Sequence, residues 1–318
     1  MSIGIIYDNT IRNNGTAVYA WHALELLGTD VWHYLPSGQP SRENAPGILD
    51  HDYYIYIDDG RDDLGAFDTS RLPNPCAYWA VDTHLGYDHR FAMAKGMEHA
   101  FTAQKDGAAR MTKDGHASAH WLPLACHPEA HVHIPMEKKK DIAFVGFLNA
   151  DWRDCPKDRN NRIEWLEDLY SHFPKSTVAT SVFFEEMSYY FCQAKLGFNI
   201  SIKEDLNMRF FEVLSTGTAL LSNRSQVGWK ELGFIDGEDF IGYDGKEELI
   251  DKARFYLDND PERLLISETG YRKARAGHTY AHRMKQMLEV IGYPCPGDPV
   301  KLSERYDTFE KPNQRIAS

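Results

Sequence analysis

The segment that decides the fold spans residues 199–223 and reads NISIKEDLNMRFFEVLSTGTALLSN. Its pattern predicts a strand that ends in a polar loop, a helix over residues 208–216, and a further strand over residues 219–222. Gly217 predicts the end of that helix, because glycine adopts the left-handed conformation that is common at this position. Strand, loop, helix and strand in this order indicate an α/β domain with a parallel sheet.

The loop and the first turn of this helix carry groups suited to an anionic ligand. A helix amino terminus presents unpaired N–H groups and the positive end of the dipole, which makes it a natural seat for a diphosphate. Arg209 could add charge-assisted hydrogen bonds to that ligand. Glu212 could accept hydrogen bonds from two neighbouring hydroxyls, as on a ribose, and Glu204 could do the same for a sugar.

The spacing of these two glutamates is weak evidence by itself. Another pair with the same separation, Glu129 and Glu137, occurs elsewhere in the chain. In the simpler interpretation Glu204 is a solvated acidic residue and Glu212 interacts with the helix dipole. The spacing alone leaves both interpretations open.

Strands and helices alternate on both sides of this segment. Residues 141–146 (DIAFVG) predict a strand, strands and helices then alternate up to residue 222, and three predicted helices follow up to residue 291. The earlier part of the chain predicts a helix over residues 17–27 among strands at residues 2–8, 31–35, 53–57 and 76–81. The proline-punctuated stretch 123–140 lacks periodicity and indicates a linker. We therefore expect two doubly wound domains, residues 1–134 and 135–291, and a tail over residues 292–318.

Composition excludes several classes of protein. The 318 residues suffice for two domains of about 150 residues each, and the net charge of −12 argues against a protein that coats nucleic acid. No apolar run approaches the roughly 20 residues that span a bilayer, and the amino terminus lacks the basic region of a signal peptide. The five scattered cysteines form no disulfide framework or CxxC zinc site. We expect a cytoplasmic protein without a membrane span.

With its surroundings, the opening segment resembles the donor-site motif of retaining GT-B glycosyltransferases. The shared pattern is Glu-x7-Glu across a strand–loop–helix unit, then a Gly-Thr turn and an apolar strand, here DLNMRFFEVLSTGTALLSN. This variant looks like the CgeB-like, spore-maturation-type branch, related to glycosyltransferase family 4. The resemblance extends to the segments DIAFVGFLN, WLPLACHPEAH and LIDKARFYLDNDPERLLISETGYRKARAGHTYAHRM. It covers about residues 101–287 and reaches the first hundred residues only by topology.

The resemblance implies a GT-B fold, in which two Rossmann-like domains border an interdomain cleft. Residues 1–134 would form the acceptor-side domain and residues 135–291 the nucleotide-sugar-binding domain. The tail would return to the first domain, as is common in that fold. The reaction would need no cofactor and would retain anomeric configuration.

The resemblance also implies roles for single residues of the motif. Glu212 would bind the ribose hydroxyls, Glu204 would face the donor sugar, and the backbone at Asn207 and Met208 would approach the diphosphate. Many relatives have glycines in this loop, whereas this chain has Asp205 and Asn207. Side chains are therefore expected to take over part of the diphosphate binding.

Three more residues of the second half are candidates for donor binding. Arg162 precedes a predicted helix and Lys195 precedes the strand that leads to Glu204, so each could hold the leaving diphosphate. The alternative for each is a solvated cation at a helix end. Phe183 lies where the base is expected and could stack on it, although paired phenylalanines are also common in protein cores.

The first half offers candidates at the ends of its predicted strands. Gly15 and Thr16 follow the first strand, and Asp82 and His84 follow a later one. Ligands of doubly wound sheets meet the carboxyl ends of the strands. We therefore expect these residues to face the donor, the acceptor or the sugar, although Asp82 and His84 could equally be structural.

No metal site is predicted. His127, His131 and His133 have suggestive spacing but lie in the proline-punctuated stretch without a scaffold. Asp58 and Asp59 could mimic a Mn²⁺ or Mg²⁺ site, since these ions prefer oxygen ligands. They close a strand of the first half, however, whereas the donor motif lies in the second.

The expected reaction is transfer of a hexose or related sugar from a nucleoside-diphosphate sugar to an acceptor hydroxyl, without a metal ion. Three alternatives stay open: a nucleotide-sugar epimerase or hydrolase on the same fold, a phage-type transferase that glycosylates DNA bases, and a non-catalytic nucleotide-sugar binder. The net charge of −12 counts against the DNA substrate. The sequence does not identify the donor's base and sugar, the acceptor (a glycan, a protein or a modified nucleic acid) or the oligomeric state.

Overall fold

The computed structural model describes residues 2–7, 15–34, 51–58, 75–148, 156–201 and 203–309. The chain forms two compact units. The first comprises Met1–Leu124 with Tyr280–Leu302, and the second comprises Ala125–Thr279 with Ser303–Ser318.

Within the described residues the secondary structure consists of strands and helices, and four helices follow the last strand. The strands are β1 (Ser2–Ile6), β2 (Asp30–Tyr34), β3 (Tyr53–Ile57), β4 (Cys76–Ala80), β5 (His99–Thr102), β6 (Ala119–Trp121), β7 (Lys140–Val145), β8 (Thr177–Ala179), β9 (Ala194–Asn199), β10 (Ala219–Asn223) and β11 (Ile241–Tyr243). The helices are α1 (Thr16–Leu26), α2 (Tyr87–Ala94), α3 (Lys105–Lys113), α4 (Pro156–His172), α5 (Phe184–Cys192), α6 (Met208–Ser215), α7 (Lys246–Asp258), α8 (Asp260–Gly277), α9 (Tyr280–Val290) and α10 (Pro299–Arg305). None of the described helices is both long and apolar enough to cross a bilayer.

The first unit contains a parallel sheet in the order β2-β1-β3-β4-β5-β6. Every residue of β3 (YYIYI) and β4 (CAYWA) is buried, as expected for central parallel strands covered on both faces. Helix α9 belongs to this unit because it packs along α1, where the rings of Tyr19 and Tyr280 lie 5.3 Å apart.

A buried ion pair joins helix α2 to the residue that follows β3. Nε of Arg90 lies 2.6 Å from Oδ2 of Asp58, and the two side chains are 0% and 1% exposed. The same carboxylate oxygen accepts a hydrogen bond from the backbone N–H of Val81, and Nε of Arg90 donates to the carbonyl oxygen of Val81. Asp58 is therefore a structural anchor in this unit, and Asp59 lies outside the described residues.

The second unit contains a parallel sheet in the order β11-β10-β9-β7-β8. Apolar residues of α5, α6 and α8 cover one face, and apolar residues of α4 and α7 cover the other. Helix α6 lies close against β9, since a Cβ on Gly197 would sit 2.5 Å from Cγ1 of Val213. The helix ends as the sequence predicts, with Gly217 at a φ of +67° directly after the C-cap Thr216.

The division into units differs from the expected domain limits at two places. Residues 125–134 lie with the second unit. The backbone of Cys126 forms an isolated parallel β-bridge with that of Thr279, and the carbonyl oxygen of His131 accepts a hydrogen bond from Ser215 of α6. Of the part of the chain after Thr279, residues 280–302 lie with the first unit and the remainder with the second.

Candidate active site

The candidate donor site lies at the carboxyl ends of β7 and β9 in the second unit. These strands are neighbours in the sheet, and the chain continues from β7 outward to β8 on one side and from β9 outward to β10 on the other. Such a topological switch point leaves a crevice between the loops that follow the two strands, and ligands of open α/β sheets bind there. The predicted donor loop is one of these loops, because it follows β9.

Arg162 of α4 links the two loops at this switch point. Its Nη1 donates to the carbonyl oxygen of Phe147 after β7, at 3.1 Å, and its Nη2 donates to that of Ile200 after β9, at 3.2 Å. The guanidinium also lies 5.8 Å from the ring centre of Phe144. The structure thus places this predicted residue beside the donor loop, where it holds a positive charge.

The amino terminus of α6 is fixed to the end of β9. Asn207 is the N-cap residue, and its Oδ1 accepts a hydrogen bond from the backbone N–H of Phe210 at 3.3 Å. Its Nδ2 donates to Oδ1 of Asn199, the last residue of β9, at 3.1 Å. Met208, the first residue of α6, therefore starts a helix whose positive end lies at the switch point.

Glu212 lies one turn into α6 and is fully buried. Its Oε2 accepts a hydrogen bond from Nη1 of Arg209 at 2.8 Å, and its Oε1 lies 3.4 Å from Nε2 of His131. Burial raises the pKa of the Glu212 carboxyl, and the nearby charge of Arg209 opposes part of that rise. The carboxylate is thus held between a cation and an imidazole.

Arg209 joins Glu212 to the end of β7. Its side chain is 19% exposed, and its Nη1 also contacts Sδ of Met187 at 2.9 Å. Its Nη2 lies 3.7 Å from the point where a Cβ on Gly146 would sit, directly after β7. The guanidinium groups of Arg209 and Arg162 therefore both lie near the carboxyl end of β7.

Glu204 lies on the donor loop and is exposed. Both it and Lys203 have positive φ values, +61° and +50°, and the carbonyl oxygen of Glu204 accepts a hydrogen bond from Val227 at 2.9 Å. Non-glycine residues rarely adopt this conformation, and those that do concentrate at functional sites. The loop is therefore held in a defined shape with the Glu204 side chain in solvent.

Phe183, the predicted base-stacking residue, lies at the same edge of the sheet. It is the N-cap residue of α5 and follows β8, and its ring centre lies 6.4 Å from that of Phe147 in the loop after β7. The predicted residue is thus part of the candidate site, with its ring partly exposed.

Among the candidates of the second unit, Lys195 lies away from this site. It is the second residue of β9, at the amino end of the strand, and its Nζ donates to the carbonyl oxygen of Leu257 in α7 at 3.4 Å. Four residues at about 3.3 Å each place it roughly 13 Å from Asn199 along the strand. A residue that precedes a parallel strand lies at the edge of the sheet opposite to the ligand.

The candidates of the first unit lie at the carboxyl ends of β1 and β4. Gly15 is the N-cap residue of α1, and the Oγ1 of buried Thr16 lies 3.4 Å from the hydroxyl oxygen of Tyr280 in α9. Asp82, with a φ of +60°, and His84, partly buried, follow β4. They have the predicted position relative to the sheet of this unit.

His131 is the site residue that sequence reasoning missed. In the sequence it stands out only as one of three histidines with metal-ligand spacing. Another of the three, His133, contacts the carbonyl oxygen of Thr216 at 2.9 Å. No local pattern predicts the approach of His131 to Glu212, because 81 residues separate them in the sequence. The four-residue spacing of His127 and His131 does fit the turn in which the N–H of His131 donates to the carbonyl of His127.

Comparisons with known proteins show which family model and which solved structures the chain resembles. Residues 135–289, slightly under half of the chain, match a family model described as glycosyl transferase-like. Sucrose-phosphate synthase from Thermosynechococcus elongatus is similar in structure, with a TM-score of 0.64, 11% identity, and coverage of 92% of this chain and 98% of that one. Anabaena HepE, solved in complex with UDP and glucose, is also similar in structure. Its TM-score is 0.62 and its identity 10%, and the comparison covers 92% of this chain and 99% of that one. No curated protein sequence matches the chain.

The fold is therefore GT-B, as predicted, with two parallel α/β units. The family match covers the residues that form the switch point of the second unit, including Arg162, Arg209 and Glu212. The match and the fold together support a glycosyltransferase.

Proposed function

We propose that the protein transfers a sugar from a nucleoside-diphosphate sugar to an acceptor hydroxyl and binds the donor through its second unit. The observation that carries this proposal is the charge arrangement at the switch point. Two guanidinium groups and a helix amino terminus lie at the carboxyl ends of β7 and β9, and one of these groups pairs with a buried carboxylate. All lie within residues 135–289, which match the glycosyl transferase-like model. A dianionic group with an attached diol fits this arrangement.

The diphosphate is the part of the donor that the positive groups would bind. Arg162 and Arg209 each offer N–H donors near the end of β7, and the first turn of α6 offers backbone N–H groups. These groups would stabilise the charge that develops on the leaving diphosphate without a protein nucleophile. We propose that transfer needs no divalent metal, because fixed cations already occupy this edge.

The ribose is assigned to Glu212. In the structure both carboxylate oxygens face protein groups, so a ribose hydroxyl must replace one of them. Arg209 is the partner that can move, because it is partly exposed and its side chain is long. We propose that the diphosphate draws Arg209 away from Glu212 and thereby makes the carboxylate available to the ribose.

The donor sugar would then face Glu204, whose side chain is exposed on the loop after β9. The base would lie by Phe183, and Asp82 and His84 of the first unit would serve the acceptor or the sugar. The resemblance of the sequence motif further favours a hexosyltransferase of the CgeB-like branch, with retained anomeric configuration. The five scattered cysteines favour a cytoplasmic location.

The first experiment is a thermal-shift panel of UDP-, GDP-, TDP- and CMP-sugars. A tight donor stabilises the folded protein by mass action, by about 2.7 kcal/mol at a hundredfold excess over its Kd. UDP-glucose is the first candidate, because HepE has been solved with it. Glu212→Gln should reduce the shift, whereas Glu137→Gln, a change at a surface residue, should leave it unchanged. If no nucleotide sugar stabilises the wild-type protein, the proposal fails.

The reaction itself is tested by product analysis with the donor selected by the panel. Transfer should continue in EDTA and yield a product of retained configuration by NMR. Restoration of lost activity by Mn²⁺ would contradict metal independence, and an inverted product would contradict retention. Conversion of the donor in the absence of any acceptor would instead indicate an epimerase or a hydrolase.

A further inference from the structure

We propose that His131 is a positioning residue for Glu212 and holds its carboxylate in the orientation that receives the ribose. This inference rests on the proposed function, because it gives Glu212 the role of ribose ligand. The observation behind it is the short distance of 3.4 Å between Nε2 of His131 and Oε1 of Glu212, both fully buried.

The backbone that carries His131 is fixed to the helices around Glu212. Oγ of Ser215, one turn after Glu212 on α6, donates to the carbonyl oxygen of His131 at 2.7 Å. Oγ of Ser188 on α5 donates to the carbonyl oxygen of Ala130 at 2.9 Å. Both anchors are buried, so the imidazole approaches Glu212 from a rigid support.

The hydrogen bonds of the imidazole determine which nitrogen carries its proton. The backbone N–H of His127 donates to Nδ1 of His131 at 2.9 Å, so Nδ1 is an acceptor and carries no proton. Burial, together with the charges of His127, Arg209 and Arg275, holds the pKa of His131 well below its usual range, and the ring is neutral. A neutral ring without a proton on Nδ1 carries it on Nε2, the atom that faces Glu212.

This arrangement assigns different tasks to the two carboxylate oxygens. Arg209 holds Oε2 and can leave when a diphosphate binds, whereas His131 cannot leave because its support is buried. The imidazole Nε2, which lies 3.4 Å from Oε1, therefore stays beside this oxygen while Oε2 turns to the ribose. Without it, the carboxylate would rotate about its last torsion, and part of the binding free energy would be lost in ordering it.

The test measures nucleotide affinity by calorimetry, with UDP or whichever diphosphate of the panel stabilises the protein most. The 2′,3′-dideoxy analogue of the same nucleotide serves as the second ligand, because it lacks the hydroxyls that Glu212 would bind. His131→Phe should weaken the ribonucleotide about 5- to 10-fold, the size expected for ordering one side chain on binding, and leave the dideoxy analogue unchanged. His131→Gln, which places an amide N–H near the Nε2 position, should recover part of the loss.

Two further variants separate positioning from a general effect on structure. In a Glu212→Gln background, His131→Phe should cause no additional loss. His133→Asn is the matched control, since His133 lies on the same segment and contacts Thr216 rather than Glu212. It should leave both affinities unchanged.

Equal weakening of both nucleotides by His131→Phe would overturn the inference, as would full affinity in that variant while Glu212→Gln weakens the ribonucleotide. If the wild-type protein binds no nucleoside diphosphate, the proposed function falls and this inference falls with it. Nitrogen-15 NMR of the imidazole gives a test without a ligand. A proton on Nδ1 of His131 instead of Nε2 would also refute the assignment, even if His131→Phe does not fold.

Discussion

The buried ion pair of the first unit leads to the sharpest stability prediction. Asp58→Asn removes the negative charge but keeps the size of the side chain. Arg90, whose side chain is 0% exposed, then keeps a buried positive charge but loses the carboxylate that lay 2.6 Å from its Nε. Breaking a buried pair in this way costs about 3–5 kcal/mol, a large fraction of the roughly 5–15 kcal/mol by which a domain is stable.

The structure also predicts which part of the unit should change. The pair holds both backbone groups of Val81, and Asp82 follows directly with a φ of +60°. Loss of the carboxylate should therefore loosen the turn that carries Asp82 and His84. We expect faster amide hydrogen exchange in residues 81–86 than in β4 itself.

The assay is urea unfolding of the wild type, Asp58→Asn, and the double variant Asp58→Leu with Arg90→Met. The single variant should lower the free energy of unfolding by about 3–5 kcal/mol, whereas the apolar double variant should lie near the wild type. Glu98→Gln, on the surface near β5, is a control for charge removal and should shift stability by less than about 0.5 kcal/mol. A loss below about 1 kcal/mol for Asp58→Asn would show that the pair does not anchor this turn.

Three further predictions concern the donor site. Burial raises the pKa of Glu212, so acidification should weaken nucleotide binding at pH values above the usual pKa range of a glutamate. Calorimetry from pH 5 to 8 measures this effect, and an affinity that is constant over that range would contradict the assignment. Asn207→Ala should lower the free energy of unfolding by about 1 kcal/mol in urea, because its Oδ1 caps the N–H of Phe210, and an unchanged value would show that the cap contributes nothing. Glu204→Ala should leave the Kd for UDP nearly unchanged and reduce turnover with the donor sugar, whereas the reverse pattern would place Glu204 at the nucleotide.

The sequence predicts well those features that depend on neighbouring residues. The helix after the donor loop, its end at Gly217 and the strand on either side follow from apolar spacing and one glycine, and the structure contains them. The position of Arg209 and Glu212 on one face of α6 follows in the same way, because residues three apart on a helix are neighbours.

The features that the sequence does not reveal depend on contacts between distant segments. His131 meets Glu212 only because the chain before β7 folds back along α6, and the pairing of Cys126 with Thr279 spans most of the second unit. Lys195 illustrates a different limit. It is close to the donor loop in the sequence. As the second residue of β9, however, it lies at the opposite edge of the sheet, where it contacts the end of α7.

Residues with a strained backbone follow several strands, at the carboxyl edge of the sheet in each unit. Among the described residues, the non-glycine residues with positive φ are Asp82 after β4, Ser181 and Phe184 after β8, and Lys203 and Glu204 after β9. Each such conformation costs of order 1–3 kcal/mol, so it persists only where surrounding contacts determine it.

Those contacts lie beside the strained loops. The Asp58–Arg90 pair holds the residue before Asp82, and Arg162 holds the carbonyl groups that follow β7 and β9. A loop that is held in this way loses little conformational entropy when a ligand binds, because the cost of ordering it has been met during folding. The charged residues of these edges therefore shape the loops before any ligand binds. A variant that removes one of them should be examined for stability before a loss of activity is attributed to chemistry.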